Sequence, residues 1–323
     1  MTTSRFGQSF FKRSLAVLST PFMVSLCVLS IVPNMPAIGN LSTKQVRELI
    51  RHAAGMELKR GAVRIKRISP IDSSTVETAA QIETAIRLEK NDSGQWRVAE
   101  IRSGQGRWED IGLIAHALNT ELDAMACDNP ELALAPSDPS VKRARCLVAN
   151  LAGIQLPSDA VRIRKVSSID LPLGSKPSAL ITAIIDADFR LTRVEKGSWR
   201  VSGIRTGNRE WVNPEAVLRK INAGKAAVVR VEIGAIVRAL ENFRRDRGFY
   251  VVSDSQAVLI DYLSPRYLVR VIRLDPWQNA YRYTGTRDSF TLRSIGPDGK
   301  ENTDDDIVLT GPLSSAAPVT PNE

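Results

Sequence analysis

An internal repeat places the strongest constraint on how this chain can fold. The run AVRIKRISPID at 62–72 returns as AVRIRKVSSID at 160–170, and the longer run at 85–108 returns at 188–211. A sequence repeated over this length indicates two copies of one structural unit. The fold must therefore accommodate two similar units before the last third of the chain begins.

Each copy predicts a helix followed by antiparallel strands. Alternating apolar and polar residues flank a tight turn at Gly94 in the first copy and at Gly197 in the second, the pattern of a β-hairpin. Apolar residues at helical spacing predict helices at 41–58, 111–122, 141–151 and 214–221. We therefore predict an α+β fold with two modules, each with an antiparallel sheet packed on its leading helix.

The end of each hairpin reads G-x-W-R-V-x-x-I, at 94–101 and 197–204. This short pattern resembles the closing hairpin of cystatin-like and nuclear-transport-factor-2-like domains. Each copy is interpreted as a binding or spacing unit, because it lacks the residue arrangements of an active site. No Ser/His/Asp or Cys/His arrangement and no phosphate-cradling glycine loop occurs in either copy, so we expect no enzyme activity.

The repeated tryptophans and the net charge of +9 allow a second interpretation. Trp96, Trp108, Trp199 and Trp211 fit either the core or edge of a sheet, or a stacking surface for a glycan or peptide. Excess positive charge suits an anionic polymer. The basic residues alternate with apolar ones, however, which is typical of the solvent face of a half-buried strand, and we expect no nucleic-acid partner.

The N-terminus carries a targeting signal within residues 1–40. Arg5, Lys12 and Arg13 precede the uncharged stretch Ser14–Val32, whose length fits a signal-peptide core or a membrane span. The positive charges ahead of it predict that the following chain is translocated. We expect an inner-membrane anchor with the bulk of the chain in the periplasm, or an exported protein if the segment is cleaved.

Cys127 and Cys146 are the cysteines that follow this stretch. In an oxidising compartment, two cysteines that flank one loop predict a disulfide bond, and the alternative is two buried free thiols. A proline-rich linker is predicted at 126–139, and its residues after Cys127 form the first part of this loop.

The last third begins with a strong helical pattern at Ala226–Arg247, after a predicted link at Asn222–Lys225. Three motifs follow in order: ALENFRRDRGFY at 239–250, DPWQNAYRY at 275–283, and SIGPDGK at 294–300 closed by DDI at 305–307. Together they resemble the C-terminal domain of the major pseudopilin, protein G, of the type II secretion system. The resemblance spans about 229–309, with Gln278 where the family has Gly and Val251 where it has Pro.

The resemblance implies a helix on a small antiparallel sheet with a calcium-binding loop at its end. The carboxylate and carbonyl oxygens of this loop are the ligands that Ca²⁺ prefers. The alternative interpretation of the same residues is an acidic turn exposed to solvent. The implied side-chain ligands are Asp298, Asp305 and Asp306, with Asp304 as a fourth candidate and with Ile295 and Lys300 as carbonyl donors. Asp275, Pro276 and Trp277 are predicted to be structural: the first bonds the turn, the second fixes the backbone, and the third covers the end of the helix.

One family feature is missing. A pseudopilin begins with a short leader and a Phe-Thr-Leu-Ile-Glu-type helix that runs straight into the globular domain, whereas Ser14–Val32 lacks the Glu and is separated from the domain by the repeats. We predict a non-catalytic envelope protein that interacts with protein partners in or beside a secretion or pilus-type assembly. The alternative is an envelope protein whose repeats bind a glycan or an anionic polymer. The predicted segments are an anchor or signal at 1–40, repeats at 41–125 and 140–222, the linker at 126–139, the pseudopilin-like domain at 223–312 and a disordered tail at 313–323.

Overall fold

The structure is a computed structural model that describes residues 41–120, 127, 140–169 and 177–312. The predicted N-terminal segment, most of the linker and the C-terminal tail lie outside the described residues. Within the described ranges, no helix combines the length and apolar character that a membrane crossing needs.

Both repeats have the predicted mixture of helices and antiparallel strands. The first repeat contains α1 (Thr43–Arg51), β1 (Val63–Pro70), β2 (Thr75–Lys90), β3 (Trp96–Arg102), β4 (Trp108–Asp110) and α2 (Ile111–Leu118). The second contains α3 (Val141–Ala149), β5 (Val161–Ile169), β6 (Ser178–Arg193) and β7 (Trp199–Arg205). The first helix is shorter than predicted because Ala54 and Gly55, just after it, have positive φ angles of 49° and 70°.

The strands of the two repeats form one seven-stranded sheet. Its centre is the antiparallel pair of β2 and β6, which runs from Thr75 opposite Thr192 to Glu89 opposite Ser178. Strands β1 and β3 pair with successive parts of β2, and β5 and β7 pair in the same way with β6. The sheet thus has an approximate twofold relation between the copies.

Each leading helix packs on strands from both copies. Val46 and Ile50 of α1 lie in one core with Val76 of β2 and with Phe189 and Leu191 of β6. Helix α3 packs in the corresponding way on β2 and β6. A single copy could not bury these helix faces, so the two copies depend on each other for their core.

A single helix of 34 residues, α4 (Pro214–Arg247), connects the repeats to the C-terminal part. The predicted link at Asn222–Lys225 is wrong, because the helix continues through it. Asn213 caps its start by accepting hydrogen bonds from the next backbone amides, and Gly248 ends it with a φ of 82°. The helix continues because Lys225 is buried against the first repeat and Gly224 faces Leu113 of α2.

The C-terminal part is the predicted helix on a small antiparallel sheet. After α5 (Gln256–Leu263), strands β8 (Arg282–Gly285), β9 (Phe290–Ser294) and β10 (Ile307–Gly311) pair in the order β10-β9-β8. The predicted apolar stripe of α4 forms their core together with Tyr250, Tyr281 and Leu292.

A disulfide bond joins Cys127 to Cys146 of α3, with their Cα atoms 5.7 Å apart. Closing a loop of this length stabilises a folded chain by about 3 kcal/mol. We expect the Cys127→Ser variant, or reduction of the wild type, to lower the free energy of unfolding by about that amount in urea titrations. The Cys27→Ser variant is the control, and reductant-insensitive unfolding of the wild type would contradict the prediction.

Candidate functional site

The acidic loop connects β9 to β10 and begins from a closed hairpin end, where Ser294 pairs with Ile307. Gly296 has a φ of 63°, and a Cβ placed there would lie 2.6 Å from the backbone oxygen of Asp305. Only glycine permits this approach, since real Cβ atoms do not come so close to backbone. The glycine therefore brings the two sides of the loop together.

Two predicted ligands converge on one hydroxyl. Thr303 Oγ1 donates to Asp305 Oδ1 at 2.6 Å and lies 3.4 Å from Asp298 Oδ1. The second oxygen of Asp305 accepts the backbone N–H of Asp298 at 3.2 Å. The hydrogen bond from the Thr303 hydroxyl lowers the pKa of Asp305 and outweighs partial burial, which would raise that pKa. This carboxylate is therefore ionised at neutral pH.

Asp306 faces a different partner. Its Oδ2 accepts from the backbone N–H of Asn302 at 2.8 Å and lies 3.2 Å from Arg293 Nη1 on β9. Its Oδ1 is buried and has no hydrogen-bond partner within the described ranges. A buried carboxylate oxygen in this state is available to a cation.

The remaining predicted ligands differ in position. Asp304 is exposed, and Ile295 is buried beside the loop. The carbonyl oxygen of Lys300 lies 3.2 Å from Thr303 Oγ1, so it faces the same hydroxyl as Asp298 and Asp305. Over the part of the chain that the structure describes, no three His, Cys, Asp or Glu side chains are grouped as a metal cluster.

The Asp275-Pro276-Trp277 turn is joined to the start of this loop by hydrogen bonds. Asp275 Oδ1 accepts from the backbone N–H groups of Trp277 and Asn279 at 3.0 and 2.9 Å, and its Oδ2 accepts from Ser294 Oγ at 2.6 Å. Asn279 then donates to the carbonyl of Gly296 at 2.9 Å. The turn is thereby connected to the C-terminal end of β9 and to the start of the acidic loop.

Trp277 does not cover the end of the helix as predicted. Its Nε1 donates to Asn222 in the early turns of α4 at 3.0 Å, and the ring lies in the C-terminal core. Gln278, which replaces the family glycine, has a φ of 72°. This left-handed conformation explains why glycine suits that position.

Three of the four tryptophans of the repeats lie on strands of the sheet, and Trp211 precedes Val212, which forms an isolated bridge to Ile204. The guanidinium groups of Arg190 and Arg205 lie over the Trp211 ring, with their central carbon atoms 4.2 and 4.4 Å from the ring centroid. Arg87 and Arg102 lie over Trp108 in the same way. Trp96 is buried beneath Lys90. Stacking of a glycan on Trp108 or Trp211 would have to displace these cations.

Sequence reasoning missed the contact that joins the two halves of the molecule. Lys225 Nζ on α4 lies 2.6 Å from Glu109 Oε2 on β4, and their side chains are only 2% and 9% exposed. Arg107 and Ser103 also bond Glu109 at 3.1 and 3.0 Å. The only sequence signal is a lysine within an otherwise small and apolar helical run, AGKAAVV.

Comparison with known proteins identifies the C-terminal part. Residues 216–310 match the family model of type II secretion system protein G. The matched segment covers α4 from its first turn, the small sheet and the acidic loop, and it confirms the resemblance found in the sequence. No curated protein and no solved structure matches the chain, and the cystatin-like resemblance of the repeats stays a prediction. The match supports a type II secretion-related component of the cell envelope.

Proposed function

We propose that this protein is a non-catalytic component of the bacterial cell envelope that acts within or beside a type II secretion or pilus-type assembly. The observation that carries the proposal is the match of residues 216–310 to secretion protein G. A domain of that family is a structural secretion component, which agrees with the absence of a catalytic arrangement in the sequence of the repeats.

The helix argues for a place beside the fibre. In a pseudopilin the apolar helix runs straight into the globular domain, whereas here α4 starts at a capped end after β7 and its first turns pack on α2. Those turns are thus occupied by the first repeat. The repeats would act as a spacer that sets the distance between the C-terminal domain and the membrane.

The free edge of the small sheet is the proposed contact surface. Strand β10 lies at the edge, and no further strand pairs with its outer side in the described parts of the chain. Val308, the second residue of this strand, is 44% exposed. An exposed edge offers unpaired backbone groups to a partner strand.

A photoreactive amino acid at Val308 tests this assignment in cells. We expect it to crosslink to a protein of the secretion assembly, because the β10 edge would lie against that partner. The control position is Ile71, which is 58% exposed in the repeats. Equal recovery of secretion proteins from both positions, or recovery of none, would argue against a contact at β10.

Calcium would stabilise the loop behind that edge. The oxygens of Asp298 and Asp305, the free Oδ1 of Asp306 and the Lys300 carbonyl suit a hard cation, with Asp304 and the Ile295 carbonyl as further donors. Bound Ca²⁺ would supply positive charge to a loop in which several carboxylates repel one another. The loop would then hold β9 and β10 in one register for partner binding.

Removal of calcium should therefore lower the melting temperature of the C-terminal domain. At a calcium concentration 100 times the Kd, binding stabilises the folded state by about 2.7 kcal/mol, and EGTA would remove that contribution. The double variant Asp298→Asn/Asp305→Asn should melt at the same temperature with and without calcium. Asp288→Asn, on the opposite hairpin of the sheet, should keep the wild-type response. An EGTA-insensitive wild type would reject the calcium site and leave the secretion match intact.

A further inference from the structure

A cavity of about 340 Å³ lies where the edge of the large sheet meets α2 and the first turns of α4. Its size is in the range of small-molecule sites in proteins. Most of its wall is aliphatic, with methionine, isoleucine, leucine and valine side chains from both repeats and from α4. An apolar site of this size can bury one aliphatic chain, whereas two turns of a helix about 10 Å wide would not fit.

The wall is built from equivalent residues of the two repeats. The segments AAGMEL and LAGIQL occupy corresponding places ahead of β1 and β5, and WRVAEIR and WRVSGIR form β3 and β7. These segments send equivalent apolar side chains to the cavity, Met56 with Ile154 and Ile101 with Ile204, and the helices that follow add Leu118 and Ile221. The cavity therefore arises from the pairing of the repeats and does not exist in either copy alone.

One equivalent pair is cationic. Arg102 and Arg205 both line the cavity, and the Nε of each is buried without a hydrogen-bond partner in the described residues. Each guanidinium also lies over the tryptophan of its own repeat, Trp108 or Trp211. Arg205 Nη2 in addition donates to Asp188 Oδ2 at 3.0 Å, so the Nε of Arg205 is the donor left for a ligand. Two buried donors beside an aliphatic wall are a site for an anionic group, because an unmade buried hydrogen bond is unfavourable.

The charges around the cavity favour the same kind of ligand. Arg107 and Arg209 also line it, against Glu109 and Glu210. Glu109 is already neutralised by Lys225 and Arg107, so it does not repel an anion. The lining thus has four arginines against two glutamates beside an apolar wall, and of these arginines Arg107 and Arg205 are each paired with a carboxylate.

We propose that this cavity binds a long aliphatic chain that ends in an anionic head group, with the head on Arg102 and Arg205 and the chain between Met56, Ile154 and Leu118. Both a free fatty acid and a single-chain phospholipid have this chemistry. Each buried methylene of such a chain contributes about 0.8 kcal/mol, and the arginines select for the charge.

Photolabelling of the full chain tests the proposal. The full-length protein, held in an amphipathic polymer, is irradiated with a diazirine analogue of palmitate, and the labelled peptides are mapped by mass spectrometry. We expect label on the segments around Met56, Leu118 and Ile154, with competition by unlabelled palmitate. Hexadecanol should compete about tenfold less well, which is the loss of one charge-assisted interaction, and acetate should not compete. Competition by lysophosphatidate equal to that of palmitate would assign the site to a phospholipid, and competition by palmitate alone would assign it to a free fatty acid.

Variants distinguish labelling inside the cavity from nonspecific labelling of other apolar surfaces. Leu118→Trp should fill the cavity and abolish the label, while Val231→Trp, on the exposed face of α4, should not change it. Arg102→Met should reduce labelling about tenfold. Arg87→Met is its matched control, because Arg87 also lies over Trp108 but does not line the cavity.

If Leu118→Trp loses its fold by circular dichroism, the milder Ile154→Phe change replaces it and should weaken the label. Label outside the cavity segments, equal competition by hexadecanol and palmitate, or full labelling of a folded Leu118→Trp or Ile154→Phe variant would overturn the proposal. Because the site lies outside residues 216–310 apart from the first turns of α4, these results do not depend on the secretion assignment.

Discussion

Replacing Lys225 by methionine should lower the free energy of unfolding by about 3–5 kcal/mol, as expected when one partner of a buried ion pair is removed. Lys225 Nζ lies 2.6 Å from Glu109 Oε2, and both side chains are almost fully buried. Without the ammonium group, Glu109 retains only Arg107 and Ser103 as partners of its other oxygen. The carboxylate would then carry a buried charge that is incompletely compensated.

The double variant Lys225→Met/Glu109→Gln is the decisive control. It removes the buried carboxylate together with the ammonium group and leaves only Arg107, whose side chain is 29% exposed, without its anion. It should therefore recover a large part of the stability that Lys225→Met loses. Lys220→Met, one turn earlier, removes a single hydrogen bond to the carbonyl of Ala117 and should lose only about 1 kcal/mol. Urea unfolding of the three variants provides the measurement. Additive losses in the double variant would show that the two groups do not interact.

This ion pair lies on the helix that connects the two halves of the molecule. Helix α4 belongs to both halves, since its early turns pack on α2 and its later turns carry the C-terminal core. The sequence pattern predicts a link at 222–225, and such a break in the helix would separate the two halves. The helix instead continues through these residues, and the buried Lys225 side chain joins its early turns to the first repeat.

The C-terminal domain could be predicted from the sequence because its signals are local. The apolar stripe of α4, the glycine at its end and the three motifs each act over a few residues, and the structure contains the helix and strands that they indicate. Gln278 shows the limit of motif reading, since a substituted position still adopts the left-handed conformation of the family glycine.

The shared sheet could not be predicted, because pairing between strands is not a local property. The alternating patterns of β2 and β6 are compatible with pairing inside each copy or between copies, and the hairpins at Gly94 and Gly197 are present in either case. Pairing between copies brings the two halves of the lipid-sized cavity together. The position of Asp306 is a similar case: its partner Arg293 belongs to the neighbouring strand.

Replacing Asp275 by alanine should have the second large effect, a loss of about 3–5 kcal/mol from the free energy of unfolding, since each buried donor left unsatisfied is unfavourable by about 1–3 kcal/mol. Asp275 is 2% exposed, and its two oxygens accept from two backbone amides and from Ser294 Oγ. Asp275→Asn retains one oxygen for the amides and should lose less. Ser294→Ala removes only one of the three bonds and is the matched control.

The same substitution should weaken the calcium response of the loop. Asn279, whose backbone is held by Asp275, donates to the carbonyl of Gly296, and Gly296 is where Asp305 approaches the other side of the loop. Loss of the turn would therefore release the carboxylates that would hold the proposed cation. Calorimetry of Asp275→Ala, Asp275→Asn and Ser294→Ala with calcium and with EGTA measures both effects. A full calcium-dependent increase in Tm in folded Asp275→Ala would show that the loop is organised without the turn, and a smaller destabilisation than in Ser294→Ala would refute the role assigned to Asp275.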